Sequence, residues 1–376
     1  MDSFLNTSKS SLANLENYSH VRVVIGNMAC DLDSAVCAIV YAFHLHTVLE
    51  NGEESIAVIP ILNIPEKEFR LKTEVVYYLE KYRISQQVLT FRDQIDLTGL
   101  SDEGKLEVVL VDHHALCEKD KELAKSVIEV IDHRPQDLTW LWQEKNVDIE
   151  MVGSCATLIG KKLLQTNSKA LNSRVCNLLR GPILIDTANF SKKANKATPT
   201  DLEIIQRLEE ITSIVSDREQ DYREILSAKT NISGLTASDL LMKDLKITNG
   251  IPIPGLPMLV QKFVNLNGVF EALTEFAAQN NCSVIVLMGL EFSDNSVIRD
   301  MAIFWLDSDV SLHDTIMITL RRSTKPSLCL TEVRTIISEE KKYQCTIFNM
   351  DNQISRKQVL PIINTMVPSY CTVSTC

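Results

Sequence analysis

Paired cysteines are missing from this sequence. Ten cysteines are scattered over 376 residues without one Cys-x-x-Cys, so the spacing of a structural zinc site is absent. A secretory leader is missing too: residues 1–20 have no apolar core, and a disulfide framework is not expected without one. The thiols therefore read as reduced and buried, with Cys371 and Cys376 in the tail as exposed exceptions. Asp2 and Glu16, with no arginine before Arg22, argue against a mitochondrial presequence, and the expected location is cytoplasmic. No unbroken run of eighteen apolar residues occurs, so no membrane span is expected. A basic excess is lacking as well. The 38 Lys and Arg face 49 Asp and Glu for a formal net charge of −11, which disfavours a nucleic-acid partner. A phosphate substrate stays compatible, because metal ions and a few local cations could hold it.

What is present is enough chain for two cores, with 45% hydrophobic residues. Residues 21–25 (VRVVI) form a β-branched run that reads as a buried parallel strand. The run stops at Gly26, and Asp33 and Ser34 then supply cap chemistry for a helix over 35–49. Apolar runs at 56–62, 88–91, 106–111, 127–131 and 182–185 predict further strands, with helical patterns at 66–82 and 119–124 between them. Pro199 opens a helix to about residue 211. This alternation predicts a parallel sheet covered on both faces. Residues 216–230 are charged and poor in apolar side chains, as in a linker. Beyond them, a helix at 236–246 precedes strands at 257–263, 283–290, 299–306, 327–336 and 342–348, with helices near 269–279, 312–320 and 353–366. The expected fold class is α/β in two domains. Residues 1–215 carry a parallel sheet, 216–230 link, and 231–376 form a smaller mixed-sheet domain.

Acidic residues recur just after the apolar runs. Residues 26–34 (GNMACDLDS) follow the first, Asp112-His113-His114 another, Asp132-His133-Arg134 a third, and Asp186-Thr187 the run at 182–185. In an open parallel sheet, ligands bind at the carboxyl ends of strands. A single aspartate there is an ordinary cap or turn residue, and adjacent histidines are ordinary loop residues. Four such groups on one edge are harder to dismiss, because converging carboxylates repel one another unless a cation neutralises them. Oxygen-rich ligands with one imidazole suit Mg²⁺ or Mn²⁺, and two such ions roughly 3.5–4 Å apart activate water and hold phosphoryl oxygen.

The ordered series GNMACDLDS, VDHH, IDHR, VGSCAT, LIDT and SRKQVLP resembles the signature of the aspartate–histidine–histidine (DHH) phosphoesterase superfamily. It is similar to the family II inorganic pyrophosphatases and more so to the exopolyphosphatase and prune branch. The motifs run from Gly26 to Pro361, nearly the whole chain, and the resemblance makes the second domain DHHA2-like.

The resemblance implies two divalent cations, Mg²⁺ or Mn²⁺, with Co²⁺ also usable. Asp31 would bind one and Asp33 the other, Asp112 would bridge them, and His133 and Asp186 would complete the coordination of the second metal. Water between the ions would attack a terminal phosphorus. Asn27 stands where the pyrophosphatases place a metal-binding histidine, which implies a shift towards Mg²⁺; as a residue after glycine it could equally cap a turn. Arg134 replaces a phosphate-contacting histidine. It can clamp phosphate but stays protonated, so it cannot protonate a leaving group. His114 is implied to contact substrate, or else a neighbouring loop. Arg356 and Lys357 correspond to the basic pair that holds substrate phosphate. The pyrophosphatases' substrate lysine is missing from 233–236 (SGLT), which lowers the expected rate on pyrophosphate. Residues 152–157 (VGSCAT) open a helix that either packs against the metal site or contacts phosphate. Lys192, Lys193 and Lys196 read as a solvated loop. The implied activity is cleavage of terminal phosphoanhydride bonds in short-chain inorganic polyphosphate. The resemblance leaves as alternatives a cyclic-nucleotide phosphodiesterase, for which 6% aromatics offer little stacking surface, and a weakly active protein that binds nucleoside diphosphate kinase.

Overall fold

The structure, a computed structural model, describes residues 1–49, 55–212, 217–293, 296–306, 310–340 and 342–365. Cys371 and Cys376 lie outside the described residues. The chain divides into two compact units, Met1–Asn231 and Ile232–Cys376.

Unit 1 is built on six strands: β1 (His20–Ile25), β2 (Ile56–Leu62), β3 (Thr90–Phe91), β4 (Leu106–Val111), β5 (Val127–Asp132) and β6 (Asn146–Ile149). Their order is β3-β2-β1-β4-β5-β6, and every pairing is parallel. Val23 and Val24 show why the strand sequence is continuously apolar. Neighbours point to opposite faces, Val24 into one core and Val23 into the other, and both are fully buried. The first face is covered by helices: α1 (Leu32–Leu49), α2 (Thr73–Lys81), α3 (Cys155–Gln165), α4 (Ser173–Asp186) and α5 (Pro199–Thr212). By length and hydropathy α1 could cross a membrane, but 67% of it is buried in this core.

The chain leaves β1 for β2 on one side and later returns as β4 on the other. That reversal opens a crevice at the carboxyl ends of β1 and β4. Gly26 sits at its floor. A Cβ there would lie 2.7 Å from Ser34 Cβ and 2.9 Å from the Ser34 carbonyl oxygen, so only glycine lets the end of β1 approach the first turn of α1. Gly26→Ala is expected to cost about 1–3 kcal/mol through overpacking. Urea unfolding would show it as a lowered midpoint with an unchanged slope.

Two expectations are corrected here. Residues 182–185 are not a strand but the last turns of α4. Asn172 caps this helix, its side-chain oxygen accepting from the backbone N–H of Arg174 (3.0 Å) and Val175 (3.1 Å). The helix packs against α1, α3 and α5, so it is apolar on every side, and a short apolar run cannot distinguish such a helix from a strand. Residues 218–230 are helical as well, forming α6 (Arg218–Thr230) packed on α2 and α4. Ile225 is its buried residue, and its charges form the interface. Lys81 pairs with Asp221 (2.9 Å) and Glu224 (2.7 Å), and Arg180 pairs with both Glu209 and Asp221. A charged, apolar-poor stretch can therefore dock through ion pairs where it would otherwise read as a linker.

Unit 2 begins with α7 (Ala237–Lys243) and holds a mixed five-stranded sheet, ordered β10-β11-β9-β8-β7. The strands are β7 (Gly255–Leu256), β8 (Val284–Ser293), β9 (Ser296–Leu306), β10 (Thr331–Ile337) and β11 (Tyr343–Asn349). Only β7 and β8 pair in parallel. The helices are α8 (Val260–Phe263), α9 (Val269–Gln279), α10 (Val310–Arg322) and α11 (Arg356–Asn364). The expected strand at 257–263 is instead a short connection from β7 into α8. Buried Asp300 on β9 caps that short helix, accepting from the N–H groups of Val260 (2.7 Å) and Gln261 (3.0 Å).

Candidate functional site

At the crevice of unit 1 lies a cavity of about 320 Å³, lined by Asp31, Asp33, Asp112, His133, Arg134, Val152, Gly153, Asp186 and Lys196. The acidic and imidazole side chains arrive from several elements. Asp31 caps α1, its carboxylate accepting from Ser34 N–H at 3.2 Å. The helix thus starts three residues earlier than expected, which places Asp33 in the first turn, buried. Asp33 receives N–H groups from Cys155 (2.7 Å) and Ala156 (2.9 Å) at the start of α3. The VGSCAT segment therefore meets a carboxylate of the site with its helix N-terminus, where negative charge is favoured.

Asp112 is the hub. Its backbone is left-handed (φ 59°), which turns its nearly fully buried carboxylate back towards α1. One oxygen accepts from Asn27 Nδ2 (2.7 Å) and the Ser34 hydroxyl, and the other from Arg134 Nη2 (3.1 Å). His133 Nε2 lies 3.3 Å from the second oxygen. Ligand atoms of Asp33, Asp112 and His133 all fall within 4.8 Å of one another. Asp186 arrives on the last residue of α4, so the site is fed by three strand ends and one helix end.

The electrostatics are strained in the sense that a cation relieves. Burial and the charge of Asp33 push the Asp112 carboxyl up to about 7, against the pull of His133. Burial likewise raises Asp33. Asp186 is driven well above the carboxylate range by burial and by the charges of Asp33 and Asp31. Burial lowers His133, but its hydrogen bond to Asp112 and the charge of Asp33 outweigh that and lift it to about 9. Imidazolium is then the local counter-charge. Asp186 lines this cavity and its Oδ2 is buried with no hydrogen-bond partner, and an orphaned carboxylate oxygen among other acidic groups fits a metal ligand. The residues present fit a divalent cation.

Other implied residues are placed differently. Asn27 does not line the cavity: its amide nitrogen is spent on Asp112, and its oxygen accepts from Ala29 N–H (2.8 Å). That is the turn-capping arrangement. His114 is buried after β4, hydrogen-bonded through Nδ1 to Asp132 and through Nε2 to the N–H of Asp137 (2.7 Å). With Nε2 accepting, Nδ1 carries the proton, and both ring nitrogens are used on the end of β5 and the segment after it. Arg134 grips the Asp112 carbonyl (2.9 Å) and carboxylate while its side chain remains 45% exposed to the cavity.

In unit 2, Arg356 and Lys357 open α11 beside a separate cavity of about 470 Å³, together with Lys243, Lys246, Arg299 and Asp244. The Arg356 guanidinium is held by Asp244 (2.5 Å) and the Ile253 carbonyl (3.1 Å), whereas Lys357 is exposed. The 233–236 segment holds no lysine, but Lys243 at the end of α7 and Lys246 beyond it line this cavity.

A DHHA2 domain model matches residues 223–366. Over 375 residues, 98% of this chain and 80% of the relative, the sequence is 33% identical to exopolyphosphatase PRUNE1 of Rattus norvegicus. The chain belongs to the prune-type exopolyphosphatase family. A manganese-dependent inorganic pyrophosphatase of Methanothrix thermoacetophila is 26% identical over 224 residues, 59% of this chain and 64% of that protein. The crystal structure of a Methanococcus jannaschii protein assigned to the family II inorganic pyrophosphatases shares the fold, with a TM-score of 0.51 at 20% identity over 91% of this chain and 98% of that one.

Some residues of this prune-type site escaped the sequence reading. Asp132 was visible only as the first letter of its motif. It is fully buried and shapes the loop, one oxygen holding His114 and the other the His133 N–H (2.7 Å). Asp201 had no sequence signal beyond its position after Pro199. Fully buried, it ties α5 to the start of α3 by accepting from Gly153 N–H (2.9 Å), Thr157 (2.6 Å) and Thr198 (2.7 Å). Lys196 read as solvated loop; it is exposed but lines the cavity.

Proposed function

We propose that this chain is a metal-dependent phosphoanhydride hydrolase that releases terminal phosphate from short-chain inorganic polyphosphate with two divalent cations. The observation that carries the reading is the cavity where Asp31, Asp33, Asp112, Asp186 and His133 meet, with one carboxylate oxygen of Asp186 unpartnered. Those five residues would hold the cations, which when bound supply charge neutralisation and water activation.

The remaining work falls to the chain itself. The N-terminus of α3 fixes Asp33, and Ser34 and Asn27 fix Asp112, so both carboxylates are oriented before substrate arrives. Arg134 positions Asp112 and turns its exposed guanidinium edge to a phosphate oxygen. It remains charged throughout, so leaving-group protonation comes from water or is dispensed with, as suits a condensed-phosphate leaving group of low basicity. Lys196 adds positive charge at the rim of this cavity.

A cyclic nucleotide fits less well. No Phe, Tyr or Trp lines the cavity, so a base has nothing to stack on. The deciding experiment is phosphate release from tri- and tetrapolyphosphate with Mg²⁺ or Mn²⁺, beside pyrophosphate and cyclic AMP. Turnover is expected on the first two, slower on pyrophosphate and absent on cyclic AMP. Cyclic AMP hydrolysis alone would overturn the polyphosphate assignment.

A further inference from the structure

Three cations meet in a pocket of unit 2 apart from the cavity that Arg356 lines. It lies between the end of α10, the 323–326 turn and α11, with a volume of about 660 Å³. Arg322, Lys325 and Lys357 line it, joined by the hydroxyl-bearing Thr319 and Thr324. No aspartate or glutamate is among its lining residues. On a chain of net charge −11, that is a local reversal of sign. None of the three cations makes an ion pair among the described residues, although Arg321 next to them pairs with Glu332. A basic residue in the last turn of a helix ordinarily complements the helix dipole, which accounts for Arg322. It does not account for Lys325 beyond that turn or for Lys357 on another helix. The turn itself is fixed by the Ser323 hydroxyl donating to the Pro326 carbonyl (2.7 Å), so its neighbours are held in place.

We propose that this pocket is an anion site that holds phosphates of a longer inorganic polyphosphate, and that it makes binding depend on chain length. Lys357 carries the argument, because it lines both this pocket and the neighbouring cavity of Arg356, Lys246 and Arg299. A polyphosphate held at Lys357 continues into the pocket without leaving positive surface. Phosphate oxygens accept from ammonium, guanidinium and hydroxyl donors alike, which matches this lining. An acidic peptide would share the charge complementarity but not that continuity. The choice of ligand rests on the polyphosphatase reading above; the site itself rests on the lining.

The test is equilibrium binding of tripolyphosphate and of a long-chain polyphosphate to the full chain, with metal chelated so that affinity is read without hydrolysis. The wild type should bind the long chain more tightly. Arg322→Glu combined with Lys325→Glu should weaken long-chain binding about tenfold and increasingly so at low salt, with tripolyphosphate affected less than about twofold. Arg322→Lys with Lys325→Arg, which keeps both charges, should retain long-chain affinity. Unchanged long-chain affinity in the charge-reversed variant would overturn the site, and so would a wild type indifferent to chain length. Poly-glutamate binding as tightly as polyphosphate would overturn the ligand in favour of acidic peptides. If no substrate is turned over while the charge-reversed variant still loses long-chain affinity, the hydrolase reading fails and this site stands.

Discussion

Asp112→Ala should lower phosphate release from tripolyphosphate by at least about a thousandfold, or ~4 kcal/mol of transition-state stabilisation. The size of that loss follows from how many groups converge on one side chain. Ser34, Asn27 and Arg134 all donate to the Asp112 carboxylate, and His133 approaches it at 3.3 Å. Truncation removes the proposed bridging ligand and also frees the arginine and the imidazole from their alignment. Asp112→Asn separates charge from shape. Asparagine tolerates the left-handed backbone at this position (φ 59°) and keeps an oxygen in place, so folding should be retained while turnover still collapses. Relief of a buried, desolvated carboxylate should leave the metal-free Asn variant at least as stable as the wild type, the usual exchange of stability for function at such sites. Circular dichroism and thermal unfolding check the fold, and a phosphate-release assay checks turnover. Wild-type rates in either variant would place the chemistry somewhere other than this cavity.

Asp31, Asp33, Asp112 and His133 stood out because they follow strand ends in an ordered motif series, and the cavity brings them together with Asp186, which ends a helix instead. Continuous apolar, β-branched runs made β1, β2, β4 and β5 legible in the same way. What was not legible depends on tertiary neighbours. The end of α4 looked like a strand because burial on all sides removes the helical stripe. The α6 segment looked like a linker because its partners, Lys81 and Arg180, lie far away in sequence. The supporting aspartates, Asp132 and Asp201, look like any polar loop residue until burial reveals them. His114 shows the converse: a histidine inside the most recognisable motif is used to tie its loop to the segment that follows β5.

Arg180→Ala carries the largest expected effect on stability, about 3–5 kcal/mol, because it strips a buried charge cluster of its cation. The Arg180 side chain is only 4% exposed, and its partners Glu209 and Asp221 belong to α5 and α6. The arginine thus ties two helices to α4, whose last residue is Asp186. Without it, Glu209 keeps Arg218 and Asp221 keeps Lys81 as ion-pair partners, but the guanidinium that joins the two carboxylates is gone. Lys81→Ala is the control. Lys81 contacts two of the same helix's carboxylates but is 30% exposed, so its loss should cost no more than about 1 kcal/mol. Denaturant midpoints of the two variants decide between burial and ion-pair number as the source of stability. Equal losses would mean that the count of pairs matters, and that α6 is held by surface charge alone. A loss confined to Arg180→Ala would mean that a single desolvated guanidinium fixes the helix that delivers Asp186. In that case the folded fraction of the variant should also bind Mn²⁺ more weakly than the wild type, although Arg180 does not line the metal cavity.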